Sequence, residues 1–146
     1  MKITRIALFR SDLHMKEGSY SWSTQSHISF DTTVVSIETD SGLSGVGECC
    51  PLGPTYLPAY AQGLRKGIAQ IAPYLVGSNP MHINTINEIM DANLKGHPYV
   101  KSALDMACWD ILGKYTGLPL YVLLGGMQQT RVHLYKVISR SDPSVM

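Results

Sequence analysis

The chain has 146 residues, 45% of them hydrophobic and 16% charged, with a formal net charge of +1. That length suffices for one domain with its own core, and a near-neutral charge without a basic stripe removes the electrostatic case for nucleic acid or an anionic membrane surface. The longest apolar stretches, Ile68 to Val76 and Leu118 to Leu124, fall well short of the about 20 residues a membrane helix requires.

The opening residues carry a basic start but no long apolar run and no small-residue cleavage site. They read as a first strand over residues 3–11 rather than as a signal peptide, and the expected compartment is the cytoplasm. Residues 12–30 then break the pattern, rich in Ser yet carrying Tyr20, Trp22 and Phe30. A loop of that length is uncommon inside a compact domain unless it is functional or loosely ordered. Its aromatics argue against plain disorder, and a functional lid and a loose surface loop both stay open.

Residues 31–39 read as a second strand, with Thr33, Val35, Ile37 and Thr39 on one face by period-two alternation. Asp40-Ser41-Gly42 is a short turn in which Gly42 suits positive φ. A third strand runs from Leu43 to about Cys49. Gly45 and Gly47 share one face of it, which predicts a close approach by another part of the chain. Cys50 to Tyr56 is then a Pro/Gly loop with an aromatic at its end.

Helical periodicity takes over from there. Residues 58–74 form a first helix, apolar at Leu64, Ile68, Ile71 and Ala72. Asn79-Pro80 signals the start of a second, over residues 81–93, with Ile83, Ile86, Ile89 and Met90 as its stripe. Pro98 suits the first turn of a third helix over residues 98–116. Val100, Leu104, Ala107 and Ile111 fall on one face of it, and Gly117 is a C-terminal cap. A short helical turn follows between Pro119 and Leu124.

Residues 131–138 read as another strand, separated from the first three by the whole helical block. The three cysteines, Cys49, Cys50 and Cys108, have no metal-ligand spacing and an odd count, which argues against a disulfide framework or a zinc site. Cys108 fits a small core residue. Asp105 and Asp110 are five apart, do not share a helical face well, and read as structural anchors rather than a catalytic pair.

Two stretches carry a resemblance. Ser102-Ala103-Leu104-Asp105-Met106-Ala107-Cys108-Trp109-Asp110-Ile111-Leu112-Gly113-Lys114, followed by Gly117-Leu118-Pro119-Leu120-Tyr121 and Leu123-Leu124-Gly125-Gly126, resembles the N-terminal-domain signature of the mandelate racemase and muconate lactonising enzyme branch of the enolase superfamily. Thr39 to Glu48 resembles the hairpin of the same family. Val100 and Cys108 depart from the family's smaller or aliphatic choices, within tolerable volume.

The resemblance implies an α+β fold: a three-stranded antiparallel meander, then a helical block, forming an enolase-like N-terminal capping domain over residues 1–126. Residues 127–146 would be a linker and the first strand of a truncated (β/α) barrel. In that family the barrel abstracts a proton next to a carboxylate, and a magnesium ion stabilises the resulting enediolate. The metal ligands belong to later barrel strands and the bases include a Lys-x-Lys motif, which is nowhere in this chain. His133 and Lys136 read as ordinary strand residues. The expected role is therefore to cap substrate without catalytic residues of its own, with a stand-alone binding or oligomerisation module as the alternative.

The implied partners are a small-molecule carboxylate and further copies in a homo-oligomer. The family's specificity loops match residues 14–30 and 50–58, which makes Tyr20, Trp22 and Tyr56 the candidate substrate contacts. Tyr56 as a mere anchor of its loop stays open. The segments Pro51 to Tyr60 and Gly96-His97-Pro98-Tyr99 are most similar to the subgroup acting on proline betaines and hydroxyprolines, whose cationic nitrogen suits an aromatic face. His97 reads as the residue that begins the third helix rather than as a catalytic group.

Overall fold

The computed structural model describes residues 1–146 except Glu17, Lys136, Ile138, Ser139, Val145 and Met146. A sheet of β1 (Ile3–His14), β4 (Ser29–Thr39) and β5 (Ser44–Cys49) has the order β1-β4-β5, all antiparallel. Between β1 and β4 stands a two-residue hairpin, β2 (Tyr20–Ser21) with β3 (Ser26–His27). Among the described residues four helices follow: α1 (Ala61–Leu75), α2 (Ile83–Asn93), α3 (Pro98–Thr116) and α4 (Leu120–Leu123).

The alternation in the second strand survives intact. Thr33, Val35, Ile37 and Thr39 are all buried on the helix side of the central strand. Above them α3 covers β5 and β4, α1 covers β4 and β1, and α2 closes against both helices. Leu64, Ile68, Ile71 and Leu75 of α1, Ile86 and Met90 of α2, and Val100, Leu104, Ala107 and Ile111 of α3 make one core with Val35 and Ile37. Leu75 completes the α1 stripe, whereas Ala72 is half-buried.

The glycines of β5 set the depth of the sheet–helix seam. A Cβ on Gly45 would lie 2.0 Å from the Ala107 carbonyl oxygen, and one on Gly47 1.9 Å from that of Ala103. The helix therefore rests on bare backbone, and Ala103 and Ala107 offer the small faces that permit it. Asp110 ties the seam by accepting from the Val46 N–H at 2.9 Å and from Lys114 Nζ at 2.7 Å. Lys114 also donates to the Ser44 carbonyl. Asp105 accepts from Asn87 Nδ2 at 2.9 Å and so joins α3 to α2. Both aspartates are anchors, as their spacing suggests.

Val100 has a similar account. A Cβ on Gly67 would sit 2.6 Å from a Val100 methyl, so the valine occupies the room that glycine leaves on α1. Cys108 is fully buried, and burial pushes its thiol up to about 12.

Past the sheet, three regions differ from the sequence expectation. Helix α1 begins at Ala61 because the chain first turns at 53–57, where the Tyr56 and Leu57 N–H groups both bond the Gly53 carbonyl. Helix α2 begins at Ile83 because Asn79 Oδ1 accepts from the Met81 N–H, holding 79–81 in a side-chain-closed turn. Third, Arg131 to Tyr135 and Val137 form no strand, with Leu134 and Tyr135 strongly exposed. The alternation there is real, but a strand exists only when a neighbour accepts its main-chain hydrogen bonds, and among the described residues none lies alongside. Lys136 and Ile138 of that expected strand fall outside the described residues.

Candidate functional site

The first specificity segment is the end of a long β-arm rather than an open loop. β1 and β4 stay paired through Asp12↔Asp31, Leu13↔Phe30 and His14↔Ser29, and the Met15 N–H still reaches the Ile28 carbonyl at 2.9 Å. Two carboxylates directly opposite each other disfavour a ladder. Here cations offset them. Arg65 of α1 clamps Asp31 with both nitrogens, at 2.7 and 2.9 Å, and also donates to Thr33 Oγ1. Arg10 sits 3.1 Å from Asp12 and 3.5 Å from Asp31. The Arg65 hydrogen bond holds the Asp31 carboxyl below the usual carboxylate range.

Beyond this clamp the hairpin gathers its rings. Trp22 lies 5.4 Å from Tyr20, 4.9 Å from His27 and 6.1 Å from Tyr56, centroid to centroid. His27 stacks in turn on Phe30 at 5.2 Å. The three candidate substrate contacts, Tyr20, Trp22 and Tyr56, are thus brought into one cluster from two segments more than 30 residues apart. Tyr56 keeps 62% of its surface exposed, so its ring is open to a ligand. Two stacked neighbours, His27 and Phe30, complete the cluster.

Gln25 was not singled out by sequence, yet it occupies the join. Its carbonyl oxygen accepts from the Trp22 N–H and closes the hairpin turn. Its side-chain Nε2 donates to Thr55 Oγ1 at 2.8 Å, and its Oε1 lies 3.0 Å from His27 Nε2. The signal that finds His27 is symmetry about Ser23-Thr24: once the turn is centred there, Tyr20 must face His27 and Ser21 must face Ser26, as they do. An open cleft of about 290 Å³ runs beside the cluster, between Phe30 and Asp31 on one wall and Pro51 to Pro54 on the other. Its lining mixes polar side chains, among them His27, Ser29 and Gln62, with apolar Phe30, Leu52 and Pro54, as is usual for a small-molecule cleft.

Other candidates lie elsewhere. Asp105 and Asp110 are on α3, engaged at the seam. His97 begins α3 in the left-handed region, at φ 51°, with its ring against Tyr99. His133 is exposed and makes no part of the cluster. Burial raises the Cys49 and Cys50 thiols, which opposes a nucleophilic thiolate. Among the described residues no three His, Cys, Asp or Glu side chains converge on a point that could hold a metal ion. The described residues therefore do not fit a magnesium site.

Comparison with known proteins agrees with this architecture. The family model for the mandelate racemase / muconate lactonizing enzyme N-terminal domain matches residues 8–125. A cis-3-hydroxy-L-proline dehydratase of Roseibium aggregatum is 56% identical over the whole chain, which covers 40% of that enzyme. The structure of an N-succinyl Arg/Lys racemase from Bacillus cereus superposes with a TM-score of 0.93 at 33% identity, over 100% of this chain and 39% of that one. A member of the enolase superfamily from Roseovarius nubinhibens, complexed with magnesium, superposes with a TM-score of 0.80 at 49% identity, over 86% of this chain and 34% of that one. The chain spans about two fifths of the length of the curated relatives that match it throughout.

Proposed function

The chain belongs to the mandelate racemase / muconate lactonizing enzyme family, as its N-terminal domain, and from that premise we propose that it is the substrate-capping, specificity-setting part of a racemase, epimerase or dehydratase acting on a hydroxyproline-like or proline-betaine-like amino acid. The observation that carries this reading is the convergence of Tyr20, Trp22 and Tyr56 in one cluster, whose His27 and Phe30 line the cleft of about 290 Å³. Ring faces attract a ligand ammonium through their quadrupole, by about 0.5–2 kcal/mol for each well-placed ring. A cyclic amino acid with a cationic nitrogen presents such a group, and the 56% identical hydroxyproline dehydratase supports that substrate class.

On this reading the chain's residues bind, orient and shield. Tyr20, Trp22 and Tyr56 contact the substrate, and the hairpin tip with the 50–58 loop keeps water from it. Proton abstraction next to the carboxylate, and the magnesium that assists it, belong to a barrel domain for which residues 127–146 would be the linker and, once paired with the rest of that barrel, the first strand, after a capping domain of residues 1–126. The chain alone then performs no chemistry.

Titration of the 146-residue chain with cis-3-hydroxy-L-proline and with proline betaine tests this, following the Trp22 indole and Tyr56 ring by NMR. Saturable shifts at both rings, at about millimolar ligand, support the reading. Equal shifts with a cyclic carboxylate lacking the cationic nitrogen would sink the cation-recognition part. In deuterated buffer with magnesium, the α-proton of either ligand should not exchange.

The exposure of Leu124, Leu134 and Tyr135 favours a second reading, a binding or oligomerisation module that assembles through this segment. Light scattering separates the two: a discrete homo-oligomer abolished by Leu134→Asp favours assembly, and a monomer opposes it.

A further inference from the structure

We infer that Gln25 is a positioning residue that joins the hairpin tip and the 50–58 loop into a single lid, so that Tyr56 takes its place from the hairpin rather than from its own loop. This rests on the reading of the aromatic cluster as the binding face.

The geometry runs through one amide. Gln25 Oε1 is an acceptor without a proton, so the 3.0 Å contact with His27 Nε2 requires the imidazole to donate from that nitrogen. With the oxygen engaged there, the Gln25 NH2 points away from His27 and donates to Thr55 Oγ1 at 2.8 Å. His27 cannot swing freely to break the chain, since its ring is stacked between Trp22 and Phe30. The Gln25 main chain is fixed as well, because its carbonyl closes the turn with the Trp22 N–H. Every group that orients the amide therefore belongs to the hairpin, and the group it grips belongs to the other segment.

The gripped segment has little else to place it. Residues 53–57 form a turn closed on the Gly53 carbonyl, with Gly53 at φ +111°, and Tyr56 and Leu57 are both largely exposed. Such a turn keeps its own shape without fixing its direction. The Gln25–Thr55 bond, one residue before Tyr56, supplies the direction, and the 6.1 Å Trp22–Tyr56 ring contact follows from it.

Amide hydrogen exchange of the 146-residue chain tests this, because the Trp22, Tyr56 and Leu57 amides are hydrogen-bonded reporters on the two sides of the join. Thr55→Val removes the hydroxyl and should raise exchange not only at Tyr56 and Leu57 but also at Trp22, by roughly fivefold, the loss of one ordinary hydrogen bond. Gln25→Leu should do the same in the other direction. Thr55→Ser, which keeps the hydroxyl, should restore wild-type exchange at all three amides. The Gln25→Leu/Thr55→Val double variant should exchange no faster than the faster single variant.

The proposal is overturned if Thr55→Val changes its own loop while the Trp22 amide and indole resonances stay at wild-type values. It is equally overturned if the two substitutions add. Should Gln25→Leu disturb folding, Thr55→Val alone still decides. A wild-type chain that shows this coupling but no ligand-induced shift would refute the binding role and leave the join standing.

Discussion

At the seam between β5 and α3, contact is made by what the residues lack: Gly45 and Gly47 present bare backbone to the Ala107 and Ala103 carbonyls. At the tip of the hairpin, contact is made by what they carry: Tyr20, Trp22, His27 and Tyr56 meet as rings, and one amide crosses between segments. The seam is close-packed and leaves no room for a Cβ at either glycine. The tip is half-exposed and keeps open faces. A close-packed interior resists any change in volume, whereas a surface cluster tolerates substitution but changes what it recognises. Stability should therefore reside in the seam and recognition in the tip.

The largest expected effect tests the seam. Gly47→Ala places a methyl where the Ala103 carbonyl oxygen already sits, and backbone must move to admit it. Chemical denaturation should show a loss of about 3 kcal/mol, the upper end of overpacking costs. A loss under about 0.5 kcal/mol would mean that the seam is looser than it looks.

Next comes the clamp that lies between the two regions. Arg65→Ala leaves Asp31 opposite Asp12 with Arg10 as the remaining nearby cation, and should cost about 2 kcal/mol at pH 7. The pH dependence has a defined sign. The folded carboxyl of Asp31 lies below its ordinary value, so its contribution is present above about pH 4 and lost as pH falls through the folded value. The wild type should lose stability on acidification below about pH 4, and Arg65→Ala should show a shallower loss over the same range. Identical acid limbs would remove Asp31 from the account.

The smallest effect sharpens the comparison at the start of α3. His97 holds φ 51°, a conformation in which its Cβ is strained. His97→Gly should raise stability by about 0.5–1 kcal/mol in thermal unfolding, with ligand binding at the tip unchanged.

The seam was far more legible in the sequence than the tip. Pro98 and Gly117 bracket α3, and the helix runs over residues 98–116 as their chemistry dictates. The paired glycines of β5 announced a close approach, and the stripe Val100, Leu104, Ala107, Ile111 is the buried face. At the tip, the rings themselves were visible, so Tyr20, Trp22 and Tyr56 stood out. The hairpin carrying Tyr20 and Trp22 did not, because a two-residue ladder has no periodicity to read and Asp12 facing Asp31 argues against pairing until Arg65 is brought across from α1. Gln25 was invisible for a related reason: its partner Thr55 is 30 residues away, and nothing in either residue type marks the meeting. Residues 131–135 show the opposite failure, in which alternation promised a strand that no neighbour among the described residues supports.

The most direct test of this division is Trp22→Ala, measured twice on the same sample, by thermal unfolding and by titration with proline betaine. Recognition at the tip predicts that ligand-induced shifts at Tyr56 disappear while stability changes by less than about 1 kcal/mol, as befits a half-exposed side chain. Retained binding, or a loss of stability as large as that of Gly47→Ala, would contradict it.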